Sequence, residues 1–189
     1  MPRAGLDRAT LVAAAVELAD RHGYAALTLR ALAERFDVKP PSLYNHILSL
    51  EALQRELQLE GVRQLGDRLA RAAAGRAGAD ALRELARAWR EFAREHPGLY
   101  AATVRAPDPR DKEAQAASER VLEVVKAVLS GYGLRHTEAI HAARALRASL
   151  HGFVTLEAAG GFGLPVEIEA SYGRLVDMLA AGLDARRRR

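Results

Sequence analysis

The sequence predicts an all-α protein, with an N-terminal three-helix domain over residues 1–49 and a C-terminal helical bundle over residues 50–189. Leu, Ala, Arg and Glu dominate the composition while aromatic residues make up 5% of it, and this mixture favours helix over sheet. Apolar residues recur at intervals of three and four, and no segment shows sustained two-residue alternation. Gly and Pro cluster between the apolar stripes, where helices are expected to end.

Two helices are predicted before residue 37. The first spans 7–22, with Asp7 as its N-cap and Gly23 at the position of a C-terminal glycine. Thr28 is the N-cap of the second helix, whose apolar positions follow the i, i+3, i+4, i+7 stripe of a buried face. These positions are Leu29, Leu32, Ala33 and Phe36.

A tight turn and a short third helix over 40–46 follow. Asp37-Val38-Lys39 interrupts the apolar pattern, and Asp tolerates the left-handed backbone conformation that a tight turn needs. Pro40 and Pro41 suit the first turn of a helix, where their missing N–H groups would be unpaired anyway. Leu43 and Ile47 are expected to form the buried side of this helix.

Longer helices are predicted from Ser49 onward. Ser49 can cap a helix with apolar positions at Leu53, Leu57, Leu65 and Leu69. The Ala- and Gly-rich stretch 72–79 is either a boundary between segments or a short loop within one body. The later helices are expected over 80–95, 99–104, 110–130 and 137–158, with a last one running through 171–183.

The charge balance does not by itself indicate nucleic-acid binding. The predicted pI is 9.7, but the 28 Lys and Arg residues exceed the 24 Asp and Glu residues only through the four arginines of positions 186–189. Such a run is more often a solvated helix end than a DNA-binding arm. The chain has no cysteine, no apolar stretch of membrane-spanning length and no signal-peptide pattern, so we expect a cytoplasmic protein without membrane association.

The layout of residues 28–46 is that of a helix-turn-helix, in which the second helix enters the DNA major groove. With Leu43 and Ile47 turned inward, Pro40, Ser42, Tyr44 and Asn45 lie on or beside the outward side of the predicted helix 40–46. Ser and Asn can hydrogen-bond bases or phosphates, Pro can contact a thymine methyl group, and Tyr and His can reach phosphates. The layout alone equally fits an ordinary three-helix bundle with a polar face.

Residues 27–46, which read LTLRALAERFDVKPPSLYNH, resemble the DNA-binding signature of the TetR (AcrR) family. That signature has Thr opening the second helix, an Ile/Leu-Ala pair within it, Gly-Val at the turn and Leu-Tyr-x-His closing the third helix. Ala14-Ala15, Leu18 and Gly23-Tyr24 resemble the family's pattern for the first helix.

The resemblance assigns roles to individual residues. It implies base contacts for Arg30, Pro40, Pro41 and Ser42, and phosphate contacts for Thr28, Tyr44 and His46. We add Lys39 and Asn45, so that nine residues form the predicted DNA-binding set.

Two residues depart from the family pattern. Asp37 replaces the usual turn glycine. This replacement costs little free energy if the Asp37 side chain forms a hydrogen bond with the nearby backbone. Leu50 stands where the family usually has a lysine that meets phosphate, so one electrostatic contact to DNA is expected to be missing.

The C-terminal half resembles a TetR subgroup with a Trp-His-Gly signature, in which Leu150 replaces the tryptophan. The residues that carry this resemblance are Phe92-Ala93, His96 to Tyr100, Leu150 to Phe153 and Gly160 to Pro165. We predict that Trp89, Phe92 and His96 share one helix face, as do Leu146, Leu150 and Phe153. The predicted ligand pocket comprises Trp89, Phe92, His96, Tyr100, Leu150, His151 and Phe153, although each of these residues also fits ordinary core packing.

The resemblance implies a transcriptional repressor that binds a palindromic operator in double-stranded DNA as a homodimer and is released by a small-molecule effector. The small residues Ala142, Ala145, Ser149 and Gly152 fit either a helical dimer seam or tight internal packing. We expect no cofactor, no metal site and no catalytic residue, because the histidines form no H-E-x-x-H motif and the glycines form no G-x-G-x-x-G motif. An alternative is a helical interaction module in which the helix-turn-helix is only a scaffold.

Overall fold

The computed structural model describes residues 6–187, with side chains to residue 186. Within those residues the chain forms helices that are joined by loops, and it forms no β-strand. The eight α-helices of this part of the chain are α1 (Arg8–His22), α2 (Leu29–Arg35), α3 (Leu50–Ala73), α4 (Gly78–Glu95), α5 (Pro97–Ala102), α6 (Lys112–Ser130), α7 (His136–Ala158) and α8 (Ile168–Arg187). Two 3-10 helices, Tyr24–Ala26 and Pro40–Asn45, lie before and after α2. The all-α prediction is confirmed.

The chain forms two compact units. The first unit holds the residues up to Val62 together with His96–Ala114, and the second holds Arg63–Glu95 together with the residues from Gln115 onward. This division differs from the predicted boundary between residues 49 and 50, because the beginning of α3 and all of α5 pack within the first unit. The boundary at residue 49 stays a prediction about which residues carry the DNA-binding function.

Local capping explains where the N-terminal helices begin. The Asp7 carboxylate accepts a hydrogen bond from the Thr10 N–H at 2.7 Å, and the Thr28 hydroxyl accepts one from the Ala31 N–H at 3.0 Å. Ser49 caps α3 in the same way through the Ala52 N–H, at 3.1 Å. Each cap pairs one N–H group that a helix end leaves without a backbone partner, so the three predicted N-caps are confirmed.

Helix α1 approaches α5 so closely that only glycine fits at position 98. A Cβ atom on Gly98 would lie 2.1 Å from the Ala19 carbonyl carbon and 2.2 Å from its oxygen. The Asp20 carboxylate of α1 accepts hydrogen bonds from the N–H groups of Gly98 and Leu99, both at 2.9 Å. A side chain of α1 therefore caps the N-terminus of α5 across the contact.

An ion-pair network joins α3 to the start of α6 within the first unit. The Arg55 guanidinium binds both carboxylate oxygens of Asp111 and also reaches Glu113 at 2.8 Å. Asp111 in turn accepts a hydrogen bond from the Ala114 N–H at 3.1 Å, so it caps α6. These contacts lower the pKa of Asp111 to about 2, with the Arg55 hydrogen bond as the largest cause. The carboxylate thus stays ionised and holds the loop before α6 against α3.

The second unit is built around α4, which packs against α7 and α8. Leu85 of α4 and Leu150 of α7 are fully buried, and the Tyr172 hydroxyl of α8 donates a hydrogen bond to the Ala86 carbonyl at 2.6 Å. Of the stretch 72–79, residues 74–77 form the loop between α3 and α4, and the whole stretch lies inside this unit, which favours the short loop over the segment boundary.

No helix among residues 6–187 is both long enough and apolar enough to span a membrane. In the arginine run 186–189, the Arg186 side chain binds Glu138 at 2.7 Å, while Arg188 and Arg189 lie outside the described residues.

We predict that Gly98→Ala destabilises the protein by about 1–3 kcal/mol or more, because the new methyl group would overlap the backbone of Ala19 and push α1 from α5. Urea denaturation followed by circular dichroism measures the change. Gly173→Ala in α8 is the matched control, since its Cβ would meet no atom within 4 Å and alanine favours helix by about 1 kcal/mol. Equal stability of the Gly98→Ala variant and the wild type would show that α1 and α5 do not approach as described.

Candidate DNA-binding interface and effector region

The N-terminus of α2 presents two of the predicted DNA-binding residues to solvent. Thr28 is exposed, and because its oxygen accepts the capping bond, its O–H group stays available to donate to a phosphate. Arg30 is exposed as well, but its Nε donates to Glu34 one helical turn later, at 2.9 Å. This surface ion pair contributes little to stability, so Arg30 can exchange Glu34 for another anion at low cost.

The turn after α2 depends on Asp37, which has a φ angle of 52° in the left-handed region. The Val38 N–H donates back to the Ala33 carbonyl at 3.0 Å, and the Phe36 N–H donates to the same carbonyl at 3.2 Å. Asp is one of the few residues other than Gly that adopt this conformation readily, so the tight turn predicted at Asp37 is confirmed.

Residues 40–45 form a 3-10 helix with one buried residue. Pro40 and Pro41 occupy its first positions, and the Ser42 N–H donates to the Lys39 carbonyl at 2.9 Å. Leu43 is completely buried and Ile47, just beyond the helix, is 4% exposed, as the sequence predicts. The burial of these two side chains turns the remaining side chains of the segment toward solvent.

The nine predicted DNA-binding residues fall in two groups along the chain, one at the start of α2 and one over residues 39–46. Eight are exposed and His46 is half-buried; the exposed ones are Thr28, Arg30, Lys39, Pro40, Pro41, Ser42, Tyr44 and Asn45. The pKa of Asp7, the N-cap of α1, is lowered chiefly by its hydrogen bond from the Thr10 N–H and further by its electrostatic interaction with His46.

Leu48 is a surface residue that the sequence analysis did not single out. Its side chain is 87% exposed directly after the 40–45 helix, whereas Leu50 at the first position of α3 is half-buried. An exposed leucine costs free energy in water, and this one lies three residues after the exposed Asn45 in the chain.

The residues of the predicted ligand pocket are divided between the two units. Trp89, Phe92, Leu150, His151 and Phe153 belong to the second unit, and of these the first three are buried. His96 and Tyr100 belong to the first unit, where Tyr100 is buried.

The prediction that Trp89, Phe92 and His96 share one helix face is wrong. Pro97 begins a new helix, so α4 ends at Glu95, and His96 has the non-helical angles φ −131° and ψ 63°. The His96 Nδ1 atom instead lies 3.1 Å from the Asp20 carboxylate that caps α5. Whether His96 also meets a ligand stays a prediction.

Phe153 lies in an aromatic cluster around a buried arginine in the second unit. Its ring centroid is 4.7 Å from that of Phe162 and 4.9 Å from that of Tyr172. The Arg90 guanidinium lies 4.9 Å from the Tyr172 centroid and 5.9 Å from the Phe153 centroid, within cation–π range.

Two carboxylates neutralise Arg90, which is 6% exposed. Glu157 binds it through both oxygens, at 2.7 and 2.8 Å, and Glu169 binds it at 2.5 Å. This pairing raises the pKa of Arg90 above its ordinary value and lowers that of Glu157. The sequence did not reveal this cluster, because its members come from α4, α7, α8 and the loop between α7 and α8, far apart along the chain.

His151 lies on α7 two residues before Phe153 and is half-buried. Burial lowers its pKa, with a further contribution from the positive charge of Arg147, so the neutral imidazole is favoured. The neutral ring is both a donor and an acceptor of hydrogen bonds, which suits a polar contact in an apolar pocket. No group of three or more His, Cys, Asp and Glu side chains in the described part of the chain is arranged to hold a metal ion.

Two family models match the chain. Residues 11–57 match the model of bacterial regulatory proteins of the tetR family, and residues 82–179 match the model of the tetracyclin repressor-like C-terminal domain. An uncharacterized HTH-type transcriptional regulator of Mycobacterium tuberculosis, Rv0681, is 40% identical over 97% of this chain and 84% of its own length. The uncharacterized HTH-type regulator YobS of Bacillus subtilis is 38% identical over 96% of this chain and 95% of its own.

Solved structures show the same fold. A TetR variant from Acinetobacter baumannii AYE, in complex with minocycline, is 26% identical with a TM-score of 0.71, over 97% of this chain and 99% of that one. A protein of unknown function from Rhodococcus sp. RHA1 is 23% identical with a TM-score of 0.78, over 97% and 99%.

The fold and the exposed helix-turn-helix thus define a DNA-binding transcriptional regulator. The chain belongs to the TetR family. The family membership confirms the resemblance that residues 27–46 carry.

We predict that Leu50→Lys tightens binding to specific and non-specific DNA by similar factors, because the lysine would meet a phosphate at the start of α3. The slope of log affinity against log salt should steepen by about one unit, as expected for one added phosphate contact. Filter binding over a range of salt concentrations measures the slope, and a melting curve shows whether loss of the half-buried leucine destabilises the domain.

Leu164→Lys is the control for net charge, because it adds the same charge at an 80% exposed leucine of the second unit. An unchanged slope for Leu50→Lys with unchanged melting, or an equal steepening in both variants, would show that the start of α3 does not approach the DNA backbone.

Proposed function

We propose that this TetR-family regulator is a repressor that binds a palindromic operator through residues 28–46 and is released by a small-molecule effector. The observation that carries the proposal is the 40–45 helix, which buries Leu43 and leaves Ser42, Tyr44 and Asn45 exposed in succession. As a regulator of transcription it would act in the cytoplasm, and no catalytic step belongs to the proposal.

The division of labour within the interface follows from side-chain chemistry. Ser42 and the two prolines before it lie at the N-terminus of the 40–45 helix, the end that approaches base edges in helix-turn-helix complexes. Tyr44 is 53% exposed and, with Thr28, offers a hydroxyl to the phosphate backbone. Phosphate contacts position the protein, whereas contacts of Ser42 and Arg30 with bases would select the sequence.

One helix-turn-helix contacts too little DNA for tight specific binding, so two are expected to act together. The exposed apolar face of α7 and α8 supports a homodimer. Met178 is 66% exposed and Leu156 is 52% exposed, and a groove of about 280 Å³ between the two helices is lined by Ala145, Leu179 and Gly182 among others.

The small residues on α7 fit the same assembly. Ala145 is exposed, and a Cβ on Gly152 would meet no atom within 4 Å of the chain. A second copy of α7 and α8 could therefore approach closely at these positions and cover the apolar side chains.

The effector is proposed to bind in the second unit near Phe153. His151 would supply a polar contact in the neutral state that burial favours. Leu150, Trp89 and Phe92 would supply apolar walls, as in other small-molecule sites. For release, the effector must bind the conformation that cannot hold DNA more tightly than the one that can. The similar TetR variant of Acinetobacter baumannii is in complex with minocycline, which supports a small-molecule effector for this chain as well.

We predict that Ser42→Ala relaxes the preference for one operator position, whereas Tyr44→Phe weakens binding to all sequences alike. The physical reason is that Ser42 is placed to meet a base and the Tyr44 hydroxyl to meet a phosphate. Affinities for a panel of single-base operator variants separate the two effects. If Tyr44→Phe leaves every affinity unchanged, the Tyr44 ring only packs and its phosphate role is wrong.

We predict a homodimer at micromolar concentration that Ala145→Glu or Met178→Glu dissociates, because either change places a charge in an apolar interface. Sedimentation equilibrium measures the mass. Ala127→Glu, the same change at an exposed position of α6, is the matched control and should leave the dimer intact. A monomeric wild type, with and without operator DNA, would contradict the proposal.

A further inference from the structure

A separate cavity of the second unit lies between the end of α6 and the beginning of α7. Its volume is about 670 Å³, within the range of small-molecule sites. Leu134 and Ala139, both buried, and Ile140, which is half-buried, are among its lining residues. Part of the cavity wall is therefore apolar. None of the aromatic residues around Phe153 belongs to it.

The other notable lining residues are basic. They are Lys126, Arg135, His136, His141 and Arg144, and the lining includes no carboxylate. Lys126 is bound to Glu123 at 2.7 Å. Within the described part of the chain, the side chains of Arg135 and Arg144 have no hydrogen-bond or ion-pair partner, and both are exposed.

Three other arginines of the same unit form ion pairs, whereas Arg120 and Arg174, like Arg135 and Arg144, have no partner within the described residues. Arg83 binds Asp177, Arg87 binds Glu84 and Glu91, and Arg90 binds two glutamates. Two arginines without a counter-charge beside an apolar wall are electrostatically suited to an added anion. Arg guanidinium groups pair with carboxylate and phosphate through two parallel hydrogen bonds, which gives such a site its chemical preference.

We infer that this cavity binds a small organic anion, whose carboxylate or phosphate pairs with Arg135 and Arg144. The apolar part of the ligand lies against Leu134, Ala139 and Ile140. The site is distinct from the effector region near Phe153, so a loss of either site leaves the other testable. This cavity would thus bind a second ligand, which it recognises by its negative charge and by its apolar surface.

Isothermal titration of the whole protein with octanoate and octyl phosphate tests this inference. Both probes should bind, and octan-1-ol and inorganic phosphate should bind about tenfold more weakly or worse, since each lacks one half of the recognised chemistry. Equal binding of octan-1-ol would overturn the role of the arginines, and equal binding of inorganic phosphate would overturn that of the apolar wall. Absence of binding by both octyl probes would overturn the site itself.

Two double variants test where octanoate binds. The double variant Arg135→Gln with Arg144→Gln should weaken octanoate binding about tenfold or more and leave operator binding unchanged. Arg120→Gln together with Arg174→Gln removes the same charge at two exposed arginines outside the cavity and should change neither. Equal losses in the two double variants would reduce the effect to net charge and overturn the inference.

Histidine ring signals in NMR spectra give an independent readout. Octanoate should shift the signals of His136 and His141 and leave that of His151 in place. A shift of His151 alone would put the probe in the effector region, which overturns this site while leaving the proposed repressor function standing. If the Arg135 and Arg144 changes dissociate the dimer and octanoate does not bind, the arginines serve the assembly instead.

Discussion

The burial of Leu43 and Ile47 is the constraint on which the proposed DNA-binding surface depends. The 40–45 helix has six residues, too few to be stable in isolation, and its first two positions lack N–H donors because they are prolines. Its orientation therefore comes from the completely buried Leu43 and from the left-handed turn at Asp37. Because these two features fix the orientation of the helix, the side chains of Ser42, Tyr44 and Asn45 point toward solvent.

The rest of the first unit holds this arrangement in place. Asp20 of α1 caps α5 through two backbone N–H groups, and Gly98 permits the close approach that this cap requires. Arg55 of α3 joins the same unit to the capping residue of α6 through Asp111. Both contacts are charge-assisted and half-sheltered from water, where such hydrogen bonds are stronger than at the open surface. Helices α1 and α3, which flank the proposed interface, are thus attached to segments 56 to 79 residues further along the chain.

Local features of the sequence predicted the first unit well. The N-caps at Asp7, Thr28 and Ser49 and the turn at Asp37 depend on residues within four positions, so they can be recognised without a structure. The contacts of His96 and Arg90 could not be predicted, because their partners Asp20 and Glu157 are 76 and 67 positions away. The exposure of Leu48 could not be predicted either, because the apolar pattern does not show which apolar residues the tertiary fold covers.

Selection of bound fragments from the genomic DNA of the source organism tests the central claim most directly, with the purified protein at physiological salt. If the buried pair Leu43 and Ile47 presents residues 40–46 to the major groove of two half-sites, the bound fragments share an inverted repeat. Its half-site centres are expected about 34–36 Å apart, one turn of DNA. A Leu43→Asp variant, in which a charge replaces the buried side chain, should select no common sequence. Bound fragments that share no motif with the wild-type protein, or an equal motif with the variant, would contradict the account.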